Sequence, residues 1–224
     1  MRNTRRGKKI LLGSSVSLIL MLIPALHLAQ TFADDEMLNR LKNEYSEQAR
    51  QRGVALNALL SRLQNKNVRQ QLTEVNDFFN QFNYRDDMSQ WGIDDYWATP
   101  EEFIGVYTGD CEDYVISKYF ALRTLGVADE HLYLTYVKAV KENIAHMVLS
   151  YFDSPESIPL ILDNYNPLIV TADKRKDLLP VYSFNARSLF LTTSSAGLGK
   201  SLPLNKIKNS KWEKLLANIK KATP

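Results

Sequence analysis

The chain has 224 residues, 45% hydrophobic and 24% charged, enough to bury one core of ordinary single-domain size. Its formal charge of +3 comes from its first segment: residues 1–33 carry five cations and no anion, and beyond them 23 basic residues face 25 acidic ones. This balance removes the basic-patch argument for nucleic-acid binding, and a single cysteine excludes an internal disulfide.

Arg2, Arg5, Arg6, Lys8 and Lys9 precede an apolar run from Ile10 to Leu28, the layout of an export signal. Thr31-Phe32-Ala33 before Asp34 places cleavage after Ala33, so residues 1–33 are read as the signal and 34–224 as one exported domain. The alternative is an uncleaved anchor, because the run approaches the roughly 20 residues that span a bilayer. From Asp34 to Phe82 the apolar positions Leu38, Leu41, Tyr45, Leu56, Leu59, Leu60, Leu63, Leu72, Val75, Phe78, Phe79 and Phe82 recur at helical spacing and predict two or three helices. Residues 83–98 lack a period and are expected to form a long ordered loop or short strands.

Thr99-Pro100-Glu101-Glu102 carries an N-cap threonine, a proline at the first helical position and a glutamate three residues after the cap. A short helix is predicted there. A second opens at Asp110 or Cys111, runs through Val115, Ile116, Tyr119, Phe120, Leu122 and Leu125, and is capped by Gly126. The pattern then turns to strands at 132–140, 144–152, 158–162, 181–184 and 188–191, before a last amphipathic helix from about Leu204 to Ile219. The predicted class is α+β, helices before sheet.

Cys111 at the first turn of a helix faces unpaired backbone N–H groups and the positive end of the dipole, which favours a nucleophilic thiolate. A thiol nucleophile needs a base. Of the two histidines after residue 33, His131 falls in the polar turn Ala128-Asp129-Glu130-His131 and reads as solvated, whereas His146 interrupts the apolar strand Ile144-Ala145-His146-Met147-Val148-Leu149 with no packing reason to be there. Asp163, ending the apolar segment Ile158 to Leu162, is the candidate that orients the imidazole. Asp110, Glu112 and Asp113 flank the cysteine and oppose its ionisation, a conflict that a bound Ca2+ would resolve through oxygen ligands. The competing explanation is that acids simply favour a helix N-terminus.

Several segments together resemble the bacterial transglutaminase-like cysteine proteinases. They are Asp94-Asp95-Tyr96-Trp97-Ala98-Thr99-Pro100, Gly109-Asp110-Cys111-Glu112-Asp113, Lys118-Tyr119-Phe120-Ala121-Leu122-Arg123, Tyr136-Val137-Lys138-Ala139, Ala145-His146-Met147-Val148-Leu149, Leu162-Asp163-Asn164 and Pro180-Val181-Tyr182-Ser183-Phe184-Asn185. The resemblance implies a papain/transglutaminase-like core, N-terminal helices packed on an antiparallel sheet, with a Cys111-His146-Asp163 triad and calcium held by Asp110, Glu112 and Asp113. It further implies a periplasmic protease that cuts the N-terminal region of a large surface adhesin and so disperses a biofilm. An inner-membrane receptor for cyclic di-GMP would restrain it by capturing a loop tryptophan, here Trp91 in Gln90-Trp91-Gly92. Two other functions are compatible with the same residues: acyl transfer to an amine, and a calcium-dependent binding protein with a vestigial triad.

Overall fold

The computed structural model describes residues 32–186, 188–191, 197–202 and 210–222. Apart from Phe32 and Ala33, the expected export signal lies outside the described residues, as do residues 204–209 of the last predicted helix. Three helices open the described chain, each started by a polar side chain that satisfies a free backbone N–H. Asp34 caps α1 (Asp35–Arg40), which passes into one π-helical turn, Leu41–Tyr45; Ser46 caps α2 (Glu47–Leu63); Asn67 caps α3 (Val68–Phe79). Leu56, Leu60 and Leu63 on α2 and Leu72, Val75 and Phe79 on α3 recur every three or four residues and are buried as one stripe.

The segment read as a loop or short strands holds both a strand and a helix. β1 (Asn83–Tyr84) is followed by α4 (Asp87–Trp91), a single turn of helix whose start is set by Asp86 accepting from the Ser89 N–H and whose end is set by Gly92 in the left-handed region at φ 66°. Capping alone defines α4, and it is too short to show a period. α5 (Pro100–Val106) begins as predicted: Thr99 Oγ1 accepts from the Glu102 N–H at 3.1 Å, and Glu102 Oε2 accepts from the Thr99 N–H at 2.7 Å. β2 (Thr108–Gly109) pairs in parallel with β1 and leads directly into α6 (Cys111–Thr124). Gly126, at φ 87°, follows the C-cap Leu125 and turns the chain away, as its position predicted.

α6 is buried nearly all round because it lies between the helical layer and the sheet. That sheet has seven strands, β3 (Leu132–Ala139), β4 (Ile144–Tyr151), β5 (Leu160–Leu162), β6 (Val170–Thr171), β7 (Leu178–Phe184), β8 (Leu189–Leu191) and β9 (Lys200–Leu202), in the order β6-β5-β4-β3-β7-β8-β9 with every neighbour antiparallel. Leu132, Leu134, Met147, Leu149 and Leu162 join the main core, while Val137, Val148, Ile161 and Leu178 form a second cluster. Alternation of side chains along β3 and β4 divides these two sets.

Several strand boundaries differ from their predicted ones. β5 starts at Leu160 because Pro159, lacking an N–H, precedes the ladder. β7 extends back to Leu178 across Pro180, which pairs with Val137 where the register shifts beside Tyr136, an irregularity that accommodates a proline. β6 and β9 are too short to have given a periodic signal. α7 (Ser210–Ala222) ends the described chain, with Trp212 ringed by Tyr119, Phe120 and Phe184 at centroid distances of 5.6, 6.1 and 5.9 Å.

Candidate active site

Cys111 is the first residue of α6, and Asp110 is its N-cap. The β1–β2 ladder and the capping box of α5 hold the chain that leads into this helix, so the start of α6 is braced from both sides. Cys111 is half-buried, and α6 packs on β4 with the Met147 backbone close to the sulfur, which brings Cys111 against the strand that carries His146.

His146 is 1% exposed and Asp163 is 1% exposed, so both are shielded from water. His146 Nε2 and Asp163 Oδ1 are 2.8 Å apart, and Tyr165 stacks on the imidazole with centroids 4.3 Å apart and planes 11° from parallel. Among the described residues Nδ1 has no hydrogen-bond partner. A carboxylate on one nitrogen and a free second nitrogen is the arrangement a general base requires. Burial alone would raise the Asp163 pKa, but hydrogen bonds from His146, the Tyr165 N–H and Arg175 bring it down to about 2. Asp163 is therefore ionised at neutral pH.

Beside the thiol the electrostatics run the other way. Asp87, Asp110 and Asp113 bring carboxylate oxygens within 4.8 Å of one another, and Asp110, Cys111 and Glu112 form an overlapping group. The Cys111 S–H donates to Glu112 Oε2 at 3.1 Å. Burial, reinforced by Glu112 and Asp113, pushes the Asp110 carboxyl up to about 10; burial, then Glu112 and Asp110, pushes the Cys111 thiol far up. Burial, with Glu112 and Asp87 adding to it, also raises Asp113 well above the carboxylate range despite the Ala98 N–H that donates to it at 2.9 Å. Asp87 rises to about 6 through burial, with Glu112 and Asp94 adding to it against the Tyr96 N–H.

Among the described residues none of these four acids forms a salt bridge, and Asp87 Oδ1 and Asp110 Oδ1 are buried without a hydrogen-bond partner. Unpartnered, convergent carboxylate oxygens fit a hard divalent cation, and the donor set lacks the nitrogens and extra sulfurs that zinc prefers. Of the three acids predicted from sequence, Asp110 and Asp113 converge with Asp87, which sequence reasoning missed, while Glu112 turns to the sulfur.

The family model described as bacterial transglutaminase-like cysteine proteinase matches residues 43–178. The chain belongs to this family. It is similar to LapG of Legionella pneumophila in its calcium-bound form, with 42% identity, a TM-score of 0.70, and coverage of 82% of this chain and 98% of that one. LapG and EGTA-treated LapG of the same organism match at 42% and 41% identity, each with a TM-score of 0.70 over 82% of this chain and 96% of theirs. No curated protein matches the chain closely enough to add to this.

The fold is α+β, as the match to LapG shows, and in this chain the cysteine starts a helix that lies against the antiparallel sheet. Trp91, at the end of α4, is half-buried, its ring 5.1 Å from that of Tyr96, while its neighbours Met88 and Ile93 are more than half exposed. His131, read as solvated, is instead half-buried and tied through Nδ1 to the Phe152 carbonyl at 2.6 Å, because the 3-10 turn Asp129–His131 packs it against the end of β4. Sequence reasoning also missed Lys118. It is fully buried on α6, its Nζ donates to Asn80 Oδ1 at 2.7 Å, and Asn80 in turn donates to the Asp163 carbonyl at 2.8 Å. A lysine among apolar helix positions was the available signal.

Proposed function

We propose that this cysteine proteinase acts through Cys111, His146 and Asp163, and that it is a calcium-dependent periplasmic enzyme which cleaves the N-terminal region of a large surface adhesin. The observation that carries the reading is the buried His146–Asp163 pair, which leaves Nδ1 free next to the strand that meets the Cys111 sulfur. His146 takes the thiol proton as the sulfur attacks the scissile carbonyl and gives it to the departing amine as the C–N bond breaks; water, deprotonated by His146, then opens the thioester to release the new carboxylate and restore the thiol. Asp163 holds the proton on Nε2 and keeps the imidazole oriented. Backbone N–H groups at the start of α6 would receive the developing oxyanion.

Asp87, Asp110 and Asp113, with Glu112 adjacent, are the residues that would hold calcium. The ion would supply positive charge where burial and clustered acids disfavour the thiolate. The similarity to LapG, solved in calcium-bound and EGTA-treated forms, supports this assignment. Removal of the adhesin's anchor would disperse a biofilm, and a receptor responding to cyclic di-GMP would restrain the enzyme at Trp91, whose exposed neighbours Met88 and Ile93 offer apolar surface to a partner. Export is by residues 1–33.

The test is to mix the purified protein with recombinant N-terminal regions of large surface adhesins, with calcium and with a chelator. Two free fragments are expected with calcium alone, and none from Cys111→Ala. Cleavage by Cys111→Ala, or cleavage undiminished by the chelator, would overturn the corresponding part of the reading.

A further inference from the structure

We propose that Arg175 is a positioning residue of this active site, whose forked guanidinium aims the Asp163 carboxylate and, through it, determines which nitrogen of His146 carries the proton. The proposal rests on the triad reading above. Arg175 follows a 3-10 turn, Ala172–Lys174, which leads out of β6, and it is 4% exposed. Its Nη2 donates at 2.7 Å to Asp163 Oδ2 and at 2.7 Å to Asp177 Oδ2, while Nε donates to the two Asp177 oxygens at 3.0 and 3.2 Å.

The two oxygens of Asp163 therefore have separate tasks. Oδ1 meets His146 Nε2 at 2.8 Å and the Tyr165 N–H at 3.0 Å; Oδ2 belongs to Arg175. Stacking on Tyr165 fixes the plane of the imidazole, so the remaining freedom of the pair is rotation of the carboxylate about its own bond. Arg175 removes that freedom. It also opposes the protonation that burial would otherwise favour, since a buried carboxylate with only an imidazole partner loses much of its reason to stay ionised.

Burial works against the guanidinium charge, but Asp177 and Asp163 outweigh it and hold the pKa above its ordinary value. The titratable and charged groups facing Asp163 are Arg175 from the loop before β7, His146 from β4 and Lys118 from α6, with Asp177 beyond the guanidinium. A lysine in place of Arg175 would keep the charge and lose the planar fork that spans two carboxylates.

The experiment uses the full chain with calcium present and needs no substrate, because Cys111 is the only thiol. The rate of Cys111 alkylation by iodoacetamide and the tautomer of His146, read from nitrogen-15 spectra of the labelled imidazole, are measured for wild type, Arg175→Gln, Arg175→Lys, Asp163→Asn and the Arg175→Gln/Asp163→Asn double variant. Arg175→Gln is expected to slow alkylation by roughly ten- to a hundredfold, as loss of a partner that orients a reacting side chain does, and to replace the single Nε2–H tautomer by a mixture. Arg175→Lys is expected to recover part of the rate. In the Asp163→Asn background, Arg175→Gln should cost nothing more, because both changes break one chain of contacts.

Wild-type rate and tautomer in Arg175→Gln, with Asp163→Asn slowed, would overturn the role of Arg175 and leave the triad standing; so would additive losses in the double variant. An unslowed Asp163→Asn would instead overturn the triad. If Arg175→Gln gives no cooperative melt, Arg175→Lys decides: an intermediate rate with mixed tautomers supports the proposal, and wild-type behaviour in both overturns it.

Discussion

At the scale of single residues, the same physical quantity works in opposite directions within one site. Burial of Asp163 is offset by three donors and leaves it ionised, with its pKa at about 2, whereas burial of Asp110 is reinforced by other acids and raises it to about 10. The first environment is complete in itself, and the second asks for a cation. Asp87 tests this directly. It contributes a buried, unpartnered oxygen from α4, away from the Asp110–Asp113 run, so Asp87→Asn is expected to weaken calcium binding by roughly tenfold or more in titration calorimetry, as loss of one ligand charge does. Unchanged affinity would remove Asp87 from the ligand set.

At the scale of elements, α6 carries Cys111 at its start and, through Lys118 and Asn80, reaches the backbone carbonyl of Asp163 along its length. Gly109, just before it, has no room for a side chain: a Cβ there would lie 2.3 Å from Asp113 Oδ2 and 2.8 Å from the Phe103 ring. Gly109→Ala is therefore expected to displace the Asp113 carboxylate, destabilise the fold by about 1–3 kcal/mol in urea unfolding and weaken calcium binding with it. Lys118, in the middle of the same helix, sets a pH dependence. Burial lowers its pKa from 10.5 to about 7 against the attraction of Asp163 and Asp77. Between those two values the unfolded chain holds a proton that the folded one does not, so stability rises with pH through this window, and the penalty is full below pH 7. Urea midpoints of the calcium-bound protein are expected to rise from about pH 7 to 9, and Lys118→Met should abolish that rise; a Lys118→Met variant with the wild-type slope would assign it elsewhere.

At the scale of the whole molecule, the acid cluster ties α4, the start of α6 and the loop before α5 together, since Asp113 also receives the Ala98 N–H and Asp87 the Tyr96 N–H. A cation bound there stabilises the folded state only. At about a hundredfold excess over its dissociation constant, calcium is expected to add about 2.7 kcal/mol, which for a domain of this size raises the melting temperature by roughly 5–10 °C. Calorimetric scans with calcium and with a chelator measure it. Equal melting temperatures would mean that the cluster does not hold the ion in the folded protein.

The amino-acid sequence by itself determined what depends on near neighbours. The capping box at Thr99, the glycine after α6, the leucine stripes of α2 and α3 and the paired strands β3 and β4 are all set within a few residues. The chemical types were legible for the same reason: a lone cysteine at a helix start, and a histidine and an aspartate where apolar strands had no use for them. What only the tertiary structure decided is which distant groups converge. Asp87 reaches Asp110 and Asp113 because α4 docks beside β2, and Arg175 reaches Asp163 because a turn after β6 folds back on β5. A carboxylate's pKa and its partners depend on burial and on charges a few ångströms away, and those distances come from packing between elements far apart in the chain.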